Sequence, residues 1–203
     1  MKILITGGAG FIGSNTAKRF IDSGNDVIVF DNLSRKGSNS NLNWLKKNGN
    51  FSFIEGDLRD YELVKSIFSE NQNIDVVIHL AGQVAVTTSV ENPREDFEIN
   101  ALGTLNVLEA IRENYNLQPL EKNNELLKDS PFLIFSSTNK VYGEMEDIEI
   151  VEKNNKYTYE KYPSGISENT LLDFHSPYGC SKGVADQYVI DYSRIYGIKS
   201  VVM

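Results

Sequence analysis

Of the 203 residues only one, Cys180, is a cysteine, and only two are histidines. A lone thiol excludes an internal disulfide framework and fits a reducing compartment. No group of histidines, cysteines and carboxylates has the spacing of metal ligands, so no metal is expected. Long apolar runs are missing too, and none approaches the roughly 20 residues that a membrane-spanning helix needs. The start, Met1-Lys2-Ile3-Leu4-Ile5, runs straight into a glycine-rich turn without the apolar stretch of a leader. The expectation is a cytoplasmic protein with no membrane partner. Positive charge is also short: 20 Lys and Arg stand against 28 Asp and Glu, a formal net charge of −8. That balance argues against nucleic acid, whose phosphate backbone is held mainly by cations. A small anionic ligand stays open, because backbone amides at a helix start hold phosphate without net positive charge.

The content that is present is ordinary for a globular chain, 40% apolar and 24% charged. The length suits one ample core and is small for a two-domain enzyme. Short apolar runs alternate with helical patterns, as in a parallel sheet with crossover helices. Strands are expected at Lys2–Thr6, Asp26–Phe30, Phe51–Glu55, Asp75–His79, Phe132–Ser136 and Lys199–Val202. Helices are expected at Gly13–Ser23, Asp60–Ser69, Phe97–Tyr115 and Ser181–Tyr196. The fold class is therefore α/β, a Rossmann-type doubly wound parallel sheet with helices on both faces. Two segments read as loops: Asn116–Ser130, polar and followed by Pro131, and Glu144–Ser176, rich in Glu, Lys, Asn and Tyr. A loop as long as the second is usually functional or disordered, and its flanks favour function. The sequence stops at Met203 inside an apparently buried strand, so more chain is expected beyond it.

Thr6-Gly7-Gly8-Ala9-Gly10-Phe11-Ile12-Gly13 joins the first strand to the first helix. Glycine serves where the chain turns with positive φ and where backbone approaches a pyrophosphate. Gly13 lets the helix pack tightly on the strand, and the free amides then face the phosphates. Gly7, Gly10 and Gly13 are thus candidate cofactor residues. Asp31, closing the second strand, is placed to accept hydrogen bonds from an adenosine ribose and to repel a 2′-phosphate, which points to NAD. Arg35 and Lys36 follow, and an arginine here can instead welcome that phosphate. Asp57 and Leu58 flank the adenine position. Leu80, Ala81, Gly82 and Gln83 follow the fourth strand, where small residues let a dinucleotide lie close. His79 reads as an interior histidine with its polar atoms satisfied.

Tyr178-Gly179-Cys180-Ser181-Lys182 opens the last helix, and the four-residue spacing puts phenol and ammonium on one face. A nearby ammonium favours the phenolate and lowers the tyrosine pKa, fitting Tyr178 to take a proton from a sugar hydroxyl as hydride leaves its carbon. Cys180 falls on the other side of the helix and reads as packing. Ser136-Ser137-Thr138 ends the fifth strand, where ligands lie in a doubly wound sheet. Thr138 is placed to donate a hydrogen bond to the reacting oxygen.

Together T-G-G-A-G-F-I-G, D-N-L-S-R, G-D-L-R, H-L-A-G-Q, S-S-T-N-K-V-Y-G and Y-G-C-S-K resemble the extended short-chain dehydrogenase/reductase family of nucleotide-sugar epimerases and dehydratases. The likeness runs from Met1 to Met203. It implies an NAD-binding domain over 1–203, a nucleotide-sugar substrate, Tyr178 as catalytic acid/base, Lys182 as its partner and Thr138 as ligand of the substrate hydroxyl. It also matches Phe11, Ile12, Asn32 and Ser34 to cofactor-contacting positions, with Arg35, Ser136, Tyr178 and Lys182 beside them. Asn100 matches an asparagine that shapes its helix near the cofactor. The dehydratase branch carries an Asp-Glu pair directly after the threonine; here those positions are Asn139 and Lys140, which favours an epimerase. Members carry a substrate domain after the sixth strand, on the order of a hundred residues by the usual domain scale, which these 203 residues lack. The long helices Phe97–Tyr115 and Ser181–Tyr196 suit pairing between copies, so a homo-oligomer is expected.

Overall fold

The apolar runs become strands because helices cover both of their faces. In the computed structural model, which describes residues 1–120 and 130–203, β1 (Lys2–Thr6) sends Ile3 and Ile5 into one core and Leu4 into another. β2 (Asp26–Asp31) divides in the same way, with Val27 and Val29 on the first side and Ile28 and Phe30 on the second. A strand whose neighbours point alternately into two cores must be apolar throughout, so it shows no polar alternation. The chain continues from β1 through α1 (Phe11–Asp22) to β2, then α2 (Ser38–Asn48), β3 (Ser52–Glu55), α3 (Tyr61–Glu70) and β4 (Val76–His79). Next come α4 (Val86–Glu91), α5 (Pro93–Phe97), a π-helical turn at Glu98–Leu102, α6 (Gly103–Asn114) and β5 (Phe132–Phe135). A 3-10 turn (Asn139–Tyr142), β6 (Ile150–Lys153), β7 (Lys156–Tyr159), α7 (Pro177–Tyr196) and β8 (Ser200–Val202) follow.

Six strands form one parallel sheet in the order β3-β2-β1-β4-β5-β8. Order reverses between β1 and β4, and a crevice opens outside the carboxyl ends at such a point. Thr6 pairs with Phe30 on one side and His79 on the other, so the three central strands end level and aim their loops at that crevice. α3, α6 and α7 pack on the larger core through Val64, Ile67, Leu108, Ile111 and Val189; Ala17 of α1 and Leu45 of α2 fill the other.

The doubly wound α/β architecture is as the sequence reads, with strand ends differing by a residue. α7 starts four residues early: Ser176 caps it, its Oγ accepting the Gly179 amide at 3.0 Å, and Pro177 takes the first-turn position where a missing N–H costs nothing. The expected single helix Phe97–Tyr115 is instead the end of α5, the π turn and α6. α2 and α4 were not foreseen, and Glu144–Ser176 holds an antiparallel hairpin of β6 and β7 rather than loop alone. Most of the expected loop Asn116–Ser130 lies outside the described residues.

Leu108 of α6 is fully buried in the larger core. Leu108→Ala removes its side chain from a site that cannot fully collapse, so the unfolding free energy in a urea titration falls by about 2–5 kcal/mol.

Candidate active site

The turn after β1 is as tight as backbone permits. Gly7 has φ +68°, and a Cβ there would stand 2.7 Å from the Ala81 nitrogen; at Gly13 it would stand 2.2 Å from the Gly7 carbonyl oxygen. Both contacts are with backbone, which cannot swing aside. Gly10 caps α1 with no side chain, and no described residue accepts from the amides of Phe11, Ile12 or Gly13. α7 differs at its own start. Pro177 has no N–H, the Tyr178 amide donates to Ser89 Oγ (3.1 Å), and Ser176 Oγ and carbonyl take the amides of Gly179 and Cys180. The free amides and dipole of α1 make an anion seat, and α7 offers none.

Over that seat lies a cleft of about 690 Å³. Gly7, Gly10, Phe11, Ile12 and Gly13 form one wall; Asp31, Asn32, Ser34 and Arg35 follow from the end of β2; Asp57 and Leu58 come from β3. Leu80, Ala81, Gly82 and Gln83 line it after β4, and Ser136 after β5. Of the expected cofactor residues only Asn100, Tyr178 and Lys182 do not line it. Ser38 and Asn41 of α2, and Ala85 and Thr88 around α4, line it too without having been foreseen. Both helices carry weak patterns. Only Ser38, Leu42 and Leu45 of α2 are buried, and α4 is rich in β-branched residues that disfavour helix.

Two carboxylates organise the wall. Asp31 Oδ2 accepts the Ala9 amide at 3.0 Å and Oδ1 the Leu33 amide at 2.8 Å, which ties the end of β2 to the glycine turn. Asn41 holds the same turn from α2, donating to the Ala9 carbonyl at 3.0 Å. Asp57 accepts from the Arg59 guanidinium at 2.9 and 2.8 Å and from Asn32 at 2.9 Å. The Arg59 side chain, above the other hydrogen bonds, holds the Asp57 carboxyl down at about 2.

Behind Ser136 sits the Tyr-x-x-x-Lys pair. Lys182 is buried, donates to the Ser136 carbonyl at 2.6 Å and lies 4.2 Å from the Phe135 ring centroid. Burial pushes its pKa down to about 8, against the opposing pull of Asp186 and Asp96. Tyr178 is buried on the first turn of the same helix, tied through its amide to Ser89, which adjoins cleft-lining Thr88. Thr138 is half-buried and caps the 3-10 turn, its Oγ1 accepting the Lys140 amide at 3.3 Å, which leaves its hydroxyl proton free to donate. Ser137 donates to Asp186 at 2.6 Å and so braces the strand end against α7.

Two expectations need correction. Asn100 does not face the cleft: it is 2% exposed and bonded to Gln83 and Ser181, held inward by the π turn. Cys180 is exposed, not packed. His79 is interior as expected. Thr6 Oγ1 donates to its Nδ1 at 2.6 Å and its Nε2 donates to Thr104 Oγ1 at 2.9 Å, while Thr104 spends its own proton on the Asn100 carbonyl at 2.6 Å. Those roles require a neutral ring protonated on Nε2. Burial, with the Lys182 charge second, pushes the His79 pKa down to about 3. Among the described residues no three His, Cys, Asp or Glu are grouped to hold a metal, and no helix is long and apolar enough to cross a membrane.

A six-stranded sheet of this order, with an uncapped helix start at its switch point, is a Rossmann-type domain. Residues 4–203 match the family model described as GDP-mannose 4,6 dehydratase, and the chain belongs to that family, within the extended short-chain dehydrogenase/reductases. It is 52% identical over 202 residues to the CDP-paratose 2-epimerase of Salmonella typhi, a match covering 100% of this chain and 56% of that protein. The UDP-glucose 4-epimerase of Thermus thermophilus, solved in complex with NAD, matches 100% of this chain and 54% of its own, at 33% identity and TM-score 0.72. DesIV of Streptomyces venezuelae, a dTDP-glucose 4,6-dehydratase solved with NAD bound, matches 100% and 54%, at 25% identity and TM-score 0.76. The chain spans about half the length of the relatives it matches.

Two outcomes follow from this geometry. Gly13→Ala forces backbone apart at the turn and lowers stability by about 1–3 kcal/mol in chemical denaturation. His79 stays neutral in the folded chain until about pH 3, whereas in the unfolded chain it takes up a proton near 6.5. The unfolded state therefore binds more protons as pH falls from 6.5, and stability drops by up to about 1.4 kcal/mol per pH unit. Urea unfolding at pH 7 and 5.5 shows this slope, and His79→Gln flattens it.

Proposed function

We propose that this chain is the NAD-holding part of a nucleotide-sugar epimerase that acts at C2 of a CDP-dideoxyhexose, interconverting CDP-paratose and CDP-tyvelose. The observation that carries the reading is the shared carboxyl edge of the sheet: the uncapped start of α1 and Ser136, whose carbonyl holds Lys182 behind it, line one cleft. The cleft fits a dinucleotide, since unclaimed amides and glycines with no room for a Cβ stand where a pyrophosphate would lie. Asp31 at the ribose end supports NAD over its 2′-phosphorylated form. Support for the C2 position and the cytidine nucleotide is the identity with the Salmonella typhi enzyme, which spans the motifs around Gln83, Thr138 and Tyr178.

NAD would be held by the α1 amides, Asp31, Asp57 and the Leu80–Gln83 wall, and it supplies an acceptor that takes hydride from C2 and returns it to the other face. Tyr178 removes the proton from the C2 hydroxyl as hydride leaves, and gives it back afterwards. The Lys182 ammonium, whose pKa burial lowers to about 8, stands one helical turn from Tyr178 to steady that transfer. Thr138 holds the reacting oxygen with its free hydroxyl proton. Asn139 and Lys140 are exposed and offer no carboxylate pair for eliminating water, which speaks against a dehydratase. A substrate domain following residue 203 would supply the nucleotide and sugar contacts. A second reading, a cofactor-binding module with no turnover by itself, is favoured by the 56% coverage of that relative.

Denaturing the purified protein is expected to release NAD, and CDP-paratose treated in D₂O is expected to epimerise with its C2 proton retained. Tyr178→Phe lowers the rate by about 10²–10⁴-fold. Deuterium entering at C2, or a protein that neither carries nor takes up NAD, would overturn the proposal. NAD binding without epimerisation favours the module.

A further inference from the structure

Between the cleft and α7 lies a buried carboxylate that the reaction above does not use. Asp96 of α5 is 1% exposed, and every partner of its carboxylate among the described residues is a donor. Gln83 Nε2 donates to its Oδ1 at 2.8 Å, Asn100 Nδ2 reaches the same oxygen at 3.3 Å, and the Ser181 hydroxyl donates to Oδ2. The Gln83 amide can turn only one way, because its Oε1 accepts the Ala85 N–H while its Nε2 also donates to the Ala85 carbonyl. Asn100 doubles the link: its Oδ1 accepts the Gln83 N–H at 2.9 Å and its Nδ2 lies 3.0 Å from Ser181 Oγ. A carboxylate ringed by donors is the arrangement that lets a buried negative charge persist.

The two ends of this linkage matter. Gln83 lines the cleft. Ser181 precedes Lys182, and its Oγ lies 3.1 Å from the Tyr178 carbonyl oxygen. Around Lys182 the charged and titratable groups are Asp186 and Tyr178 on its own helix, Asp96 from α5 and neutral His79 from β4, with the Ser136 carbonyl at the end of β5. Burial acts to discharge the ammonium, and the two carboxylates act to keep it charged.

Resting on the epimerase reading, we propose that Asp96 is a positioning residue for the Tyr178–Lys182 pair: it grips the cleft-lining loop and the helix turn that carries the pair, and keeps its charge within electrostatic reach of Lys182. The test follows the Lys182 Cε–Hε resonance by NMR, identified by its loss in Lys182→Arg, across pH 6 to 10, beside NAD affinity. Wild type is expected to titrate near pH 8, because burial lowers the ammonium pKa. Asp96→Asn is expected to lower that midpoint by about half a pH unit or more and to weaken NAD binding about tenfold. Asp96→Glu keeps the charge and brings the midpoint back toward wild type. A merely structural role would weaken binding in both variants and leave the midpoint in place, so a folded Asp96→Asn protein with an unmoved midpoint overturns the proposal. Should Asp96→Asn fail to fold, Ser181→Ala removes one grip and keeps the charge. A shifted Lys182 midpoint together with weaker NAD binding then supports the linkage, and an unmoved midpoint overturns it. Wild type that binds no NAD overturns the epimerase reading alone, because the midpoint comparison still decides the role of Asp96.

Discussion

Gly13 lies so close to the Gly7 carbonyl that even a methyl group would stand 2.2 Å from its oxygen, and much of the molecule follows from that approach. It sets the first turn of α1 directly on the end of β1, with Gly10 as a cap that offers no side chain. The amides of Phe11, Ile12 and Gly13 are left without acceptors at the point where strand order reverses. Since orphan amides at a helix start carry about half a positive charge, an acidic chain can still present an anion seat. The surrounding contacts hold that backbone in place rather than fill it: Asp31 takes the Ala9 amide, Asn41 donates to the Ala9 carbonyl, and the Thr6 hydroxyl accepts the Ala81 amide at 3.3 Å.

Under the carboxyl edge the interior becomes polar, and its polarity is directional. Thr6 donates to His79, His79 to Thr104 and Thr104 to the Asn100 carbonyl, so one run of protons crosses from β1 through β4 to the π turn. The Thr104 hydroxyl thus closes the run on a backbone carbonyl of the π turn. The same turn carries Asn100 inward to Gln83 and Ser181. A buried polar group costs stability unless it is bonded, and a fully bonded network specifies a single arrangement. That cost is met where α5, α6 and α7 must keep a fixed relation to the end of the sheet.

The parts legible in the sequence were those that repeat or that admit one residue type. Strands between two cores show as unbroken apolar runs, and the glycine turn shows because neither Gly7 nor Gly13 tolerates a side chain. α2 escaped because Leu42 and Leu45 are its only buried apolar residues, too few to display a period. α4 escaped because Val86, Thr87, Thr88 and Val90 read as strand, and packing overrode that preference. The hairpin of β6 and β7 sits in a polar segment whose strands pair only with each other. Asn100 was found by resemblance as a residue that shapes its helix, but a motif records a position and not the direction in which the π turn sends its side chain, here toward Gln83 and Ser181. Asp96 was not found at all: a single carboxylate has no periodicity, and its importance lies in partners 13 and 85 residues away.

Backbone and side chains divide the work on this edge. The seat at α1 consists of amides and glycine, so the part of the cradle that faces an anion is backbone, and side chains elsewhere act on it by holding that backbone and the cleft wall in place. Thr138, Tyr178 and Lys182 come from other segments, at the cap of the 3-10 turn after β5 and on α7, and their ties to the seat run through Ser136, Ser89 and the Asp96 linkage. A scaffold built in this way can exchange its chemistry while keeping its cofactor cradle. The two residues after Thr138 are exposed on a short turn, and replacing a carboxylate pair there by Asn139 and Lys140 disturbs neither core nor cradle. That independence is a physical reason why 4-epimerases, a 4,6-dehydratase and a 2-epimerase match one chain along nearly its whole length.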